Sequence, residues 1–185
     1  MYKAFIIFCV AALGLLYAFW DSTRPPQGVI RHETDLRAQK QNTPAPTFTF
    51  TDTNGASHAL TQFKGKTIIL NFWATWCPPC VAEMPQLLEL AAREKDNIVF
   101  IALSVDEQTD MVQRFFTRLP TETRDILDFE NVLIGYDTDK HMSKDLYDTT
   151  KYPETYIISP DLQIKRKIRG VTDWLGDDIR ALLTE

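Results

Sequence analysis

The chain has 185 residues, 44% of them hydrophobic, enough for one domain of ordinary size and an appendage. Its formal net charge of −5 argues against nucleic acid as a partner, because that binding rests largely on neutralising phosphates with Lys and Arg. The cysteines are Cys9, Cys77 and Cys80; one close pair cannot make a disulfide framework, so its role is expected to be chemical.

In chain order, residues 4–20 read AFIIFCVAALGLLYAFW. As a helix they span roughly 25 Å, close to the minimum for a membrane crossing, and Tyr2, Tyr17 and Trp20 suit the two interfaces. Ala18-Phe19-Trp20 is a poor cleavage site, and Ile7-Phe8 before Cys9 is not a lipoprotein signal. Residues 1–20 are therefore expected to form a single-pass membrane anchor, with a cleaved signal peptide as the alternative. Lys3 precedes the segment and Arg24, Arg31 and Arg37 come after it, so a count of Lys and Arg does not by itself favour export of the C-terminal region. Residues 21–45, broken by Pro25, Pro26, Gly28 and Pro44, read as a flexible linker.

A domain is expected over 46–185. Phe48-Thr49-Phe50-Thr51 alternates apolar and polar, and a turn at 52–55 returns through His58-Ala59-Leu60 as a hairpin. Residues 67–74 form a central strand. It runs into Trp76-Cys77-Pro78-Pro79-Cys80, after which Val81, Met84, Leu87, Leu88 and Ala91 recur at helical spacing. The Cys-x-x-Cys thus falls where a buried strand ends and a helix begins, the setting of a thiol–disulfide redox site. Residues 97–105 read as a strand covered on both faces. Residues 109–119 read as a helix with Met111, Val112, Phe115, Phe116 and Leu119 inward. A strand at 132–134, a short helix at 140–147 and a hairpin of 155–158 with 163–168 come next. The closing helix is expected to be capped by Thr172 or Asp173, with Leu175, Ile179, Leu182 and Leu183 inward.

The site chemistry rests on position. At a helix N-cap, Cys77 faces unpaired backbone N–H groups and the positive end of the dipole, which favour a thiolate. Pro78 and Pro79 fit there because the first turn has no N–H bonds to lose. Cys77 is therefore the expected nucleophile, and Cys80, a turn further in, the resolving thiol. Glu83, three residues on, shares the face of Cys80 and is the candidate general base; a merely solvated first-turn acid is the alternative.

Asn71-Phe72-Trp73-Ala74-Thr75-Trp76-Cys77-Pro78-Pro79-Cys80, then Glu83-Met84-Pro85, then Tyr152-Pro153-Glu154-Thr155-Tyr156 together resemble the thioredoxin fold. More narrowly, they resemble the membrane-tethered, exported TlpA/ResA-like proteins, which include cytochrome c maturation proteins. The resemblance covers roughly residues 46–183. It implies an α/β thioredoxin-like fold: a four- or five-stranded mixed sheet flanked by helices, with an N-terminal β-hairpin and a central βα insertion. It also implies a cis Pro153 opposite the cysteines, where the backbone of Tyr152 pairs with a client strand, beside an apolar lip of Trp76 and Pro78. Trp73 is expected in the core. No cofactor or metal is implied beyond the redox-active Cys77–Cys80 disulfide.

The implied partners are oxidised exported proteins such as apocytochrome c, a membrane thiol-electron carrier as reductant, and the membrane itself. The implied location is the cytoplasmic membrane with the C-terminal domain in the periplasm or another extracytoplasmic space, against the charge count. One departure stands out: thioredoxins proper carry a buried Asp where this chain has Asn71. Four alternatives compete. Within disulfide exchange, the protein is an oxidant or isomerase. A zinc site lacks a second Cys pair. A copper-delivery module would draw on His141 and Met142, with a longer Cys spacer than this one. A thiol peroxidase would need other residues where Leu70 and Ala74 stand.

Overall fold

The run Thr67–Trp73 forms a strand with every side chain buried, and the sheet is built outward from it. The computed structural model describes residues 43–184; the anchor read at 1–20 and the linker up to residue 42 lie outside them. The elements run β1 (Thr43–Pro44), β2 (Thr49–Thr51), β3 (Ser57–Ala59), β4 (Thr67–Trp73), α1 (Pro78–Arg93), β5 (Ile98–Ser104) and α2 (Thr109–Thr117). They continue as α3 (Thr121–Arg124), β6 (Val132–Tyr136), β7 (Glu154–Ile158), β8 (Gln163–Arg169) and α4 (Asp177–Thr184), with a π-helical turn at His141–Leu146. Among the described residues no helix is long and apolar enough to cross a membrane.

The main sheet has the order β1-β8-β7-β4-β5-β6. Strands β4, β5 and β6 are parallel, while β7, β8 and β1 are each antiparallel to their neighbours. The sheet is thus mixed, as expected, but has six strands rather than four or five. The addition is β1, where Thr43 lies opposite Ile164 and Pro44 opposite Gln163. The sheet therefore begins inside the segment read as linker. A two-residue strand has no period to read, and its proline is tolerated because it sits on an edge.

Alternation along β4 sorts the two faces. Ile68, Leu70 and Phe72 join Val99, Ile101, Leu103, Tyr156 and Ile158 in one core cluster. Ile69, Asn71 and Trp73 point to the other face, where α1 buries Cys80, Glu83, Met84, Leu87, Leu88 and Ala91. Each large apolar side chain of that stripe contributes about 1.5–3 kcal/mol by leaving water. Trp73 is in the core, as expected, packed on Phe115 and Phe116 of α2.

Strands β2 and β3 form the separate hairpin. It crosses β6 at Gly135, which bridges to Asp52. A Cβ at Gly135 would stand 2.8 Å from Phe50 Cδ2, so only glycine admits the hairpin this closely.

Two expectations fail locally. Met111 is 40% exposed rather than inward. The closing helix starts at Asp177, not after Thr172 or Asp173. Asp173 instead holds a turn, accepting from the N–H of Leu175 through its side chain and from that of Gly176 through its carbonyl. Leu175 is only half-buried, and the turn delivers Trp174 to the interior, 0% exposed.

Candidate active site

Strand β4 ends at Trp73, and four residues later Cys77 caps α1 with extended backbone. Pro78 and Pro79 occupy the first helical positions, where no intrahelical N–H bond is lost. Cys77 and Cys80 are joined as a disulfide with Cα atoms 5.3 Å apart. Cys77 is 5% exposed and Cys80 0%, so the outer sulfur belongs to the N-cap residue. The Cys80 backbone N–H donates to Cys77 Sγ at 3.4 Å, so a helix N-terminal donor already faces that sulfur.

The register of β7 sets the opposite wall. Phe72 lies opposite Glu154, which carries Pro153 to the C-terminal end of β4, where the cysteine loop begins. The Tyr152–Pro153 peptide is cis, as expected. Trp76 is 61% exposed, and its ring meets that of Tyr152 edge-on with centroids 6.0 Å apart. Pro78 is exposed beside it. Trp76, Pro78 and Tyr152 thus line the surface around the disulfide. A groove of about 640 Å³ opens next to them, lined by residues that include Trp76, Val81, Met111, Phe115, Arg118 and Lys140.

A buried polar group lies on the same helix, one turn after Cys80. Glu83 is 2% exposed, so it is not the solvated acid of the alternative reading. Its Oε2 accepts from Trp174 Nε1 at 3.2 Å and its Oε1 from Asn71 Nδ2 at 3.3 Å. Asn71 Nδ2 also donates to Thr155 Oγ1 at 2.8 Å. Burial pushes the Glu83 carboxyl up to about 7, against the opposing pull of its hydrogen bonds from Trp174 and Asn71. A carboxyl poised there exchanges protons at neutral pH, which the amide of Asn71 cannot do.

Two further networks hold the site's loops, and sequence reasoning misses both. Asp106, 3% exposed after β5, accepts from Thr75 N at 2.9 Å, Thr75 Oγ1 at 2.7 Å and Ser104 Oγ at 2.6 Å. It fixes the loop immediately before Trp76 and Cys77. Glu154, 3% exposed after Pro153, pairs with Lys167 Nζ at 3.1 Å and Arg169 Nε at 2.9 Å. Lys167 Nζ also donates to the carbonyl of Asp148 at 3.2 Å, and the Tyr156 hydroxyl donates to the carbonyl of Tyr147. The segment leading to Pro153 is thereby tied to β7 and β8. Trp174 is missed as well. The one signal for it is a large indole near a chain turn, whose N–H needs a partner once buried.

His141 is exposed and bonded to Asp145 Oδ2 at 3.2 Å, while Met142 is buried. Among the described residues no group of three or more His, Cys, Asp or Glu side chains converges on a point.

The sequence matches the Redoxin family over residues 40–182. It is 30% identical over 138 residues to the thiol-disulfide oxidoreductase ResA of Geobacillus kaustophilus, covering 74% of each chain. It is 31% identical over 145 residues to ResA of Bacillus thuringiensis subsp. konkukian, covering 78% of this chain and 76% of that one. The fold is similar to that of a putative thiol:disulfide interchange protein DsbE from Chlorobium tepidum. There the TM-score is 0.66 at 20% identity, over 79% of this chain and 96% of the other.

Proposed function

The chain belongs to the Redoxin family and, within it, to the ResA/TlpA-like thiol–disulfide oxidoreductases, and on that premise we propose that it works as a reductase of disulfides in exported proteins. Its redox-active group is the Cys77–Cys80 disulfide, and its substrates are proteins. The observation that carries the mechanistic reading is the buried Glu83 carboxyl, one helical turn beyond Cys80 and near neutrality.

In the reduced protein, Cys77 is the thiolate, stabilised by the N-terminal N–H groups of α1. It attacks one sulfur of a client disulfide. A Cys77–client bond forms, the client's S–S bond breaks, and its second sulfur leaves to take a proton from solvent. Glu83, ionised, then accepts the proton of Cys80. The Cys80 thiolate attacks Cys77 Sγ, the Cys77–client bond breaks, and the client's remaining sulfur leaves as a thiolate. Two electrons have passed to the client, and the carboxyl then loses its proton. Trp76 and Pro78 give the client an apolar surface beside Cys77, and the backbone of Tyr152 before Pro153 gives it a strand to pair with.

The client class proposed is exported proteins such as apocytochrome c, with electrons returned to Cys77–Cys80 by a membrane thiol carrier. The proposed setting is the cytoplasmic membrane, anchored through residues 1–20, with the domain in the periplasm or another extracytoplasmic space. Support comes from the apolar run at 4–20 and the polar segment after it, and from the resemblance to exported, membrane-tethered relatives. Rapid thiol alkylation in intact cells tests the direction. A pair held mainly as dithiol is expected; a wholly oxidised steady state would instead mean an oxidant. A Cys80→Ser variant, unable to resolve, should trap the client for identification.

A further inference from the structure

Asn71 carries an unexplained atom. Its Nδ2 donates twice, to Glu83 Oε1 and Thr155 Oγ1, yet its Oδ1 is buried with no partner among the described residues. A buried acceptor left unpaired is costly, and such groups call for an explanation. Asn71 is 0% exposed and sits in the middle of the sheet face beneath α1, so the site is built rather than frayed.

The arrangement favours the ionised state of Glu83. A carboxylate is a pure acceptor, and it takes donors from Asn71 and from Trp174. Once Glu83 holds a proton on Oε1 directed at Asn71, that O–H is a donor pointing at the amide's N–H group, donor against donor. Turning the Asn71 amide over about its last side-chain bond removes the conflict. Oδ1 then accepts from Glu83 Oε1–H and from the Thr155 hydroxyl, which is donor and acceptor alike. The NH2 group moves to where Oδ1 now lies. One polar group is unpaired in either orientation, so the two differ chiefly in the proton on Glu83.

We infer that Asn71 is a two-way positioning residue for Glu83: its amide donates to the carboxylate and, turned over, accepts from the carboxylic acid. Glu83 then stays in one place, buried, through both halves of a proton transfer. The groups facing it are Asn71 on β4, with Thr155 of β7 behind it, and Trp174 from the turn before α4; on its own helix the buried Cys80 stands three residues before it. Among the described residues no charged side chain is bonded to it. This rests on the proposed role of Glu83 as the proton acceptor of Cys80. In that step the proton leaves Cys80 Sγ and rests on Glu83 Oε1, and the turned amide holds it until it is released.

The test is nuclear magnetic resonance on full-length, isotope-labelled protein in detergent micelles, recording the Glu83 carboxyl and the Asn71 NH2 group from pH 5 to 9. Above the Glu83 midpoint the NH2 protons lie beside Thr155, and a cross-peak to the Thr155 methyl is expected. Below it that cross-peak should weaken at least about threefold. A cross-peak whose strength does not change across the midpoint overturns the inference. So does a Glu83 carboxyl that never titrates in this range.

A second readout uses Asn71→Leu. A group that serves both states offsets its pull on the anion by a bond to the acid, so its removal leaves the Glu83 midpoint within about half a pH unit, whereas a donor to the anion alone would leave it raised by about one unit. The base role is read separately, from mixed-disulfide resolution in Glu83→Gln. An unchanged rate there, beside an intact pH-dependent cross-peak, sinks the base role and upholds the amide exchange.

Discussion

Trp174 Nε1 donates to Glu83 Oε2 at 3.2 Å across 91 residues of sequence, joining the turn before the last helix to the first turns of α1. The indole favours the ionised carboxyl. Trp174→Phe keeps an aromatic ring in place but removes the donor. The Glu83 midpoint, pushed up to about 7 by burial, should then rise further, by about one unit. A carbon-detected titration of the Glu83 carboxyl checks this; an unmoved midpoint would mean that the bond contributes nothing to the site's protonation.

The same carboxyl sets a pH dependence of stability. Its ordinary value is 4.5 and its folded value about 7, so between these pH values the folded state binds the extra proton. Stability from this group is fully present below pH 4.5 and is lost as pH rises through 7. The loss is about 3 kcal/mol, at 1.36 kcal/mol per unit. Glu83→Gln should therefore gain stability over the parent at pH 8 by up to that amount and little at pH 4. Urea melts at the two pH values measure it; equal gains at both would contradict a buried, raised carboxyl.

The loop before the cysteines depends on Asp106. Asp106→Ala leaves the backbone N–H and hydroxyl of Thr75 unpaired, which should cost about 2–3 kcal/mol. It should also speed hydrogen exchange at the Thr75 amide at least tenfold. An unchanged exchange rate would mean that the loop is held by other contacts.

At the base of the Pro153 segment, Lys167→Met strips the buried Glu154 of one of its two cations. The expected cost is about 2–4 kcal/mol, less than for a pair with no second partner. Adding Glu154→Gln to the same protein should recover part of that loss. A double-mutant cycle with no coupling would show that the two charges act independently.

What the sequence makes legible is periodic or chemically singular. The helix after Cys77 and the strand at 48–51 carry clear periods of 3.6 and two, and Thr67–Trp73 is a continuous run of β-formers. Cys77, Cys80 and Glu83 stand at spacings with a physical meaning, and Pro153 is marked by the family resemblance. What stays hidden lacks such a signature. Thr43–Pro44 is too short to have a period. Met111 fits the helical stripe of Val112 and Phe115 yet faces the groove beside Trp76.

Lys167 and Glu154 look like solvent-facing strand residues, and their burial comes only from the register that pairs β7 with β8. Trp174 reads as part of the closing helix, because Leu175, Ile179 and Leu182 continue a helical spacing through it. The turn held by Asp173 is what separates it. The partner of Glu83 is therefore invisible in the sequence, since it comes from a different element by a contact of high sequence separation.

The mechanism turns on Glu83 taking the proton of Cys80, and the most direct measurement is stopped-flow resolution of a Cys77 mixed disulfide across pH 5–9. In the parent the rate should rise with pH around a midpoint near 7. In Glu83→Gln it should fall about a hundredfold or more at pH 7 and lose that midpoint. A Glu83→Gln profile that overlies the parent at every pH would contradict the claim.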